Sequence, residues 1–255
     1  MIELKSAHEL ALLREAGRVV AEALAAVRER AEVGMPLAEL DRVAARVIEG
    51  AGAEPAFLGY HPAWAPMPYP GVICASVNDE VVHGIPDGSR LEEGDLVSID
   101  CGAFVEGWCG DAAISFVVGT PDPADVALIA ATEAALERGI AAAAARRKLG
   151  DVSNAIGAGA RRGGYGLLAD HGGHGVGRAM HEAPFVPNDG RPGRGLELRP
   201  GLVLALEPML IIGGSDDYVT GEDGWTIRTA SGTRAAHCEH TIAVTEDGPL
   251  VLTEL

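Results

Sequence analysis

Two stretches of this 255-residue chain match each other without a gap, and each ends in an acid. Leu91-x-x-Gly94-x-x-Val97-x-Ile99-Asp100 reads like Leu198-x-x-Gly201-x-x-Leu204-x-Leu206-Glu207. Further along, Asp111-Ala-Ala-Ile114-Ser115-Phe116 reads like Glu239-His-Thr-Ile242-Ala243-Val244, and upstream His83-Gly84-Ile85 parallels His174-Gly175-Val176. Chance likeness between apolar strands would leave the charged positions unmatched, and here they coincide. An internal repeat implies two copies of one structural unit. A pseudo-twofold arrangement would bring both His-Gly turns and all four acids to a shared centre. The expectation is one domain over 1–255, with repeat halves of about 1–120 and 121–255.

Each half reads as helices followed by strands, an α+β order. Leu10, Leu13, Val20, Leu24 and Val27 recur at helical spacing between Ser6 and Ala31, which predicts an amphipathic helix. A second helix is predicted from Leu37 to Gly50, with Pro36 suited to its first turn and Gly50 and Gly52 to its end. Pro and Gly crowd 55–71, predicting a long irregular loop that also holds Trp64, Met67 and Tyr69. Strands are expected at 72–77, 96–106 and 110–118. After Pro121 and Pro123 an Ala-rich helix is expected to about Lys148, then one from Asp151 to Arg162, then strands at 202–206, 209–212, 225–229 and 238–245. On this reading Arg146, Arg147 and Lys148, or Arg161 and Arg162, are helix C-terminal charges. Gly173-x-Gly175-x-Gly177 reads as a histidine-bearing turn.

Side chains alternate along a strand, so Glu207 shares a face with Ala205 and Val203 while Leu204 and Leu206 point the other way. Pro208 holds Glu207 extended and ends the strand there. Burying one unpaired carboxylate costs several kcal/mol, and four converging acids also repel one another. The composition offers little relief, with 20 Lys plus Arg against 37 Asp plus Glu and a net charge of −17. Arg228 is the one nearby cation placed on a strand. Two divalent cations balance four carboxylates, and a neutral imidazole adds a donor without adding charge. Such a donor set favours Mn, Fe or Co and tolerates Zn. Paired cations activate water, so hydrolysis is the chemistry to expect.

The motifs then resemble a known family, the methionine aminopeptidases of the short bacterial type. Asn78-Asp79-Glu80-Val81-Val82-His83-Gly84-Ile85-Pro86, the pair Asp100 and Asp111, Gly173-His174-Gly175-Val176-Gly177, His181-Glu182-Ala183-Pro184, Leu206-Glu207-Pro208-Met209 and Glu239-His240-Thr241-Ile242 carry the likeness over nearly the whole chain. It implies the pita-bread fold, a pseudo-twofold duplicated antiparallel sheet with helices packed on its outer face. It also implies two divalent ions (Co, Mn, Fe or Zn), bridged by Asp111 and Glu239, with Asp100 on one and His174 and Glu207 on the other. By the same resemblance Glu207 passes the proton to the leaving amine, His181 hydrogen-bonds the carbonyl, and His83 lies near the scissile amide. The methionine pocket would be lined by Tyr60, Cys74 and Trp225, with Phe57 and Met180 at neighbouring positions. The segment from Pro62 to Pro70 is longer than the family pattern, leaving either Trp64 or Tyr69 to close the pocket.

The implied activity removes N-terminal methionine from peptides and nascent chains, preferring a small second residue. The implied setting is a cytoplasmic monomer with a transient ribosome contact. Nothing in the sequence reads as a signal peptide or a membrane span. The acidic surface disfavours nucleic acid as a specific ligand. Cys74, Cys101, Cys109 and Cys238 form no CxxC pair, so neither a disulfide framework nor a zinc knuckle is expected. Proline-specific dipeptidases share the catalytic half but carry a large additional N-terminal domain. A phosphoesterase would want Lys or Arg beside the acids. A non-catalytic binding protein would not need a full ligand set. Cys238 as a thiol nucleophile is disfavoured because alternation turns it away from Glu239.

Overall fold

Ser6 starts the first helix with a capping box, its amide donating to the Glu9 carboxylate at 2.7 Å and its hydroxyl accepting from the Glu9 amide. Caps of this kind contribute about 1 kcal/mol. In the computed structural model, which describes residues 2–255, this helix is α1 (Ala7–Arg30), followed by α2 (Leu37–Gly50). The first half continues with β1 (Glu54–Pro55), β2 (Ile73–Val77), β3 (Glu80–Val82), β4 (Leu96–Val105) and β5 (Trp108–Val117). Helices α3 (Pro123–Ala142) and α4 (Leu149–Arg162) open the second half, and β6 (Gly166–Leu167), β7 (Gly172–Gly175) and β8 (Glu182–Pro187) follow. The chain then runs through β9 (Val203–Leu206), β10 (Met209–Ile211), β11 (Tyr218–Thr220) and β12 (Ile227–Thr229). It closes with β13 (Ala235–His237), β14 (Glu239–Thr245) and β15 (Gly248–Val251).

The main antiparallel sheet runs β1-β4-β5-β14-β9-β7-β8, with β2 added to β4 and β15 to β14. Its seam is β5 against β14, where Ala112 faces His240 and Ala113 faces Glu239. In the matched motifs Asp111 corresponds to Glu239, so Ala112 corresponds to His240. A residue thus faces its own repeat counterpart, as at a twofold axis. The hydroxyl of Thr241, the counterpart of Ala113, accepts from the Asp111 amide at 3.1 Å and donates to the Asp111 carbonyl at 2.7 Å.

Alternation sorts the side chains between two layers. Val97, Ile99, Cys101 and Phe116 face outward into a core with Val20, Leu24, Leu40 and Ile48 of α1 and α2. Leu204, Leu206 and Ile242 pack under Leu128, Leu136 and Ile156 of α3 and α4. Both helix pairs therefore cover the outer face, and the acids are left on the inner one. Helix α1 approaches β5 closely because Gly110 has no side chain at the crossing. A Cβ on Gly110 would come within 2.6 Å of the Gly17 amide nitrogen.

Two expectations fail. The Ala-rich helix ends at Ala142 instead of about Lys148. Its continuation is pulled into pairing with the opposite loop: the Arg146 amide donates to the Leu198 carbonyl and the Leu198 amide to the Arg147 carbonyl, both at 2.8 Å. Arg146 adopts φ 70°, which ends any helix. Arg146, Arg147 and Lys148 are therefore not C-terminal helix charges, whereas Arg161 and Arg162 do end α4. Gly173-x-Gly175, read as a turn, is largely strand: β7 pairs with both β8 and β9.

Candidate metal centre and adjoining pocket

Every predicted site residue borders one cavity of about 810 Å³. Asp100 lies on β4 opposite Ala113, Asp111 lies on β5, and Glu239 begins β14. Glu207 stands just past the end of β9, where Pro208 interrupts the ladder. His174 lies on β7 opposite Ala205. The parallel drawn between His83 and His174 is not a symmetry of the sheet. The repeat counterpart of Ala205 is Ser98, and Ser98 faces Ser76. His83 instead follows β3 at φ 60°, an uncommon conformation for a residue with a side chain.

Among the described residues, the acids meet imidazoles, not ammonium or guanidinium groups. His174 Nε2 lies 3.8 Å from Asp111 Oδ2 and 3.6 Å from Glu207 Oε1. His237 Nε2 lies 3.7 Å from Glu207 Oε2 and 3.6 Å from Glu239 Oε2. Arg228 is engaged elsewhere, with Asp79 at 2.8 Å and Glu80 at 2.5 Å. The His174 Nδ1–H donates to the Gly175 carbonyl at 2.9 Å, which leaves the Nε2 lone pair facing the acids.

Burial raises every one of the four carboxyls. It lifts Asp100 to about 7 from an ordinary 3.8. Asp111, Glu207 and Glu239 are displaced well upward by burial first and then by their acidic neighbours. Burial pushes the imidazoles the other way, His174 and His237 to about 3 and His83 to about 4, so all three are neutral near pH 7. Asp100 Oδ1, Asp111 Oδ1, Glu239 Oε1 and His237 Nε2 are buried without a hydrogen-bond partner among the described residues.

This donor set fits divalent metal. Separations of 3.6–3.8 Å exceed a hydrogen bond of about 3.2 Å or less. Two donors at about 2.0–2.2 Å from one cation stand roughly 3.0–3.6 Å apart, close to what is observed. Two three-donor groups can be drawn among the described residues, Asp111 with His174 and Glu239, and Glu207 with His237 and Glu239.

Beside the acids lies an aromatic pocket. Cys74 faces Asp100 across the ladder, and burial holds its thiol well above the ordinary range, so it is a protonated, apolar wall. Tyr69 is buried, its hydroxyl donating to the Gly84 carbonyl at 2.7 Å. Trp225 stands edge-on to Tyr69 with ring centroids 5.0 Å apart, and its indole N–H donates to the Met67 carbonyl at 3.0 Å. Tyr69 thus forms the inside of the pocket. Trp64 lies at the rim, 4.9 Å from Trp225 and stacked over His83 at 6.4 Å. Phe57 and Met180 join the same cluster. His181 sits between Tyr60, stacked at 5.4 Å, and His174, at 4.2 Å.

His237 was not among the predicted site residues. The alternation that turns Cys238 away from Glu239 places His237 on the acid's side, so the signal was present. Cys238 packs in the outer core, and burial pushes its thiol up to about 12, which leaves no thiolate for attack.

A sequence model of metallopeptidase family M24 matches residues 11–246. Methionine aminopeptidase 1 of Mycobacterium tuberculosis is 52% identical, over 98% of this chain and 94% of its own length. Methionine aminopeptidase of Aquifex aeolicus is 44% identical over 100% of this chain and 99% of its own. The crystal structure of methionine aminopeptidase from Thermotoga maritima superposes with a TM-score of 0.95 at 40% identity, covering 100% of both chains. Prolidase from Pyrococcus furiosus, at 22% identity and a TM-score of 0.79, shares the fold over 99% of this chain but only 65% of its own.

Proposed function

Given that the chain belongs to metallopeptidase family M24, we propose how its own residues release an N-terminal methionine from a peptide. The protein is a methionine-removing aminopeptidase that uses divalent metal. The observation that carries the residue assignment is the meeting of acids from both halves, all raised by burial, beside a cavity walled by aromatic rings and a thiol.

Asp100, Asp111, His174, Glu207 and Glu239 would hold two cations drawn from Co, Mn, Fe or Zn. Bound there, divalent cations polarise the scissile carbonyl and bring the pKa of a water toward neutrality. Cys74, Tyr60 and Trp225, with Tyr69 behind them, receive the unbranched thioether side chain and exclude water from it. That seats the first peptide carbonyl over the acids. Glu207, raised by its buried setting, takes a proton from the attacking water and returns it to the leaving amine. His181 hydrogen-bonds the carbonyl oxygen as it gains charge, and neutral His83 steadies the scissile amide. The second residue of the peptide would lie at the rim formed by Trp64 and His83, and a small one is expected there. We place this enzyme in the cytoplasm as a monomer of one domain, with halves of about 1–120 and 121–255, acting on nascent chains with transient ribosome contact. Among the described residues, no helix is long and apolar enough to cross a membrane.

The test uses metal-stripped protein with Met-Ala-Ser and Met-Leu-Ser peptides and separate add-back of Mn, Fe, Co and Zn. Free methionine should appear only after add-back and chiefly from the Ala peptide. Glu207→Gln should lose roughly a hundredfold or more in kcat. Equal turnover without metal, or none with any metal, would reject the assignment.

A further inference from the structure

We propose that His237 is itself a metal ligand, so that the centre grips its cations with two imidazoles. The inference deepens the metal-centre reading above and rests on it. His237 ends β13 and Glu239 begins β14, two residues on, so their side chains leave the backbone on the same side. Across the ladder His237 faces Met209, which places it beside Glu207 as well. Its Nε2 is equidistant, within 0.1 Å, from one oxygen of each acid, at 3.7 Å from Glu207 Oε2 and 3.6 Å from Glu239 Oε2.

That nitrogen is buried without a hydrogen-bond partner among the described residues, in a residue only 2% exposed. Both gaps are too long for hydrogen bonds and lie close to the upper end of the spacing of donors that share one cation. Glu207 thereby stands between two rings, Oε1 toward His174 and Oε2 toward His237. The His237 backbone is pegged by two serines of the first half: its carbonyl accepts from Ser115 Oγ at 2.8 Å, and its amide donates to Ser115 Oγ at 3.1 Å and to Ser98 Oγ at 3.3 Å. The ring is therefore held against the acids by both halves of the fold. The result is a second three-donor group, Glu207, His237 and Glu239, sharing Glu239 with the group of Asp111 and His174. A second neutral nitrogen donor shifts preference toward borderline ions such as Co, Fe and Zn, and away from Mn.

Cobalt-loaded wild-type protein and the His237→Gln variant would be compared by proton NMR and by metal-binding calorimetry. A ring bound through Nε2 shows its exchangeable N–H proton far outside the ordinary spectral range when the ion is paramagnetic Co(II). Two such signals are expected in the wild type and one in His237→Gln, with cobalt affinity lowered by about 10- to 100-fold and Mn affinity lowered less. Cobalt bound with one shifted imidazole signal in the wild type would overturn the proposal and leave His237 as a positioning residue for the carboxylates. Absence of bound cobalt would overturn the metal-centre reading and this inference together, a distinct result. Should His237→Gln fail to fold, the wild-type signal count alone decides.

Discussion

Trp64 is 63% exposed, yet its ring is not idle: it stands against Trp225 and over His83 at the mouth of the pocket. Such aromatic contacts are worth about 0.5–1.5 kcal/mol each. Trp64→Ala should therefore raise KM for Met-Ala-Ser by roughly 2- to 10-fold with kcat nearly unchanged, as read from steady-state kinetics. A matching fall in kcat would mean that the ring acts on the chemistry itself. The sequence placed Trp64 and Tyr69 in one long loop and could not divide their roles. The Tyr69 hydroxyl reaching the Gly84 carbonyl draws that ring inward, and a contact fifteen residues away in the chain leaves no periodic trace. Histidine 237 is the opposite case, legible by simple alternation once Glu239 is recognised as facing inward.

At the level of elements, the crossing of α1 over β5 depends on Gly110, which has no side chain to hold the helix off. Gly110→Ala would push a methyl group into the Gly17 backbone at 2.6 Å, with no flexible side chain able to give way. Overpacking of this kind costs about 1–3 kcal/mol. A drop of roughly 2–4 °C in Tm per kcal/mol is expected by calorimetry for a chain of this size. An unchanged Tm would show that the helix can lift freely. Helices α1 and α2 were readable to within a residue or so because apolar spacing and end signals agree. The end of α3 was not, since a run of alanines carries no stop, and what halts the helix is backbone pairing with residues some fifty positions later. Strand β7 was missed for a related reason. Glycines have no side chains to alternate, and here they admit a neighbour's backbone: a Cβ on Gly173 would lie 2.1 Å from the Ala205 carbonyl oxygen.

For the molecule as a whole, the buried acids tie stability to pH and to metal. Folding raises Asp100 to about 7 from 3.8, and Asp111, Glu207 and Glu239 are also displaced well upward. Protons are therefore held more tightly in the folded state. For Asp100 this contribution is complete below the unfolded value and is lost as pH rises through about 7. The lowered imidazoles His83, His174 and His237 act in the other direction, but only as pH falls below 6.5. Metal-stripped protein should lose Tm as pH rises from about 6.5 through 7, where Asp100 titrates and the imidazoles no longer oppose the loss, and a bound divalent cation should flatten that fall. A stripped protein whose Tm climbs over the same range would contradict the burial of the acids. The matched acids made the centre legible in the sequence, because charge that must be neutralised is hard to place by accident. The pocket was less so, being assembled from loops whose contacts follow no period. Asp100 and Asp111 come from strands before the midpoint of the chain, and His174, Glu207 and Glu239 from segments after it. If these five side chains hold the metal as proposed, neither half carries a complete centre, and a copy whose halves have not docked should bind cation weakly.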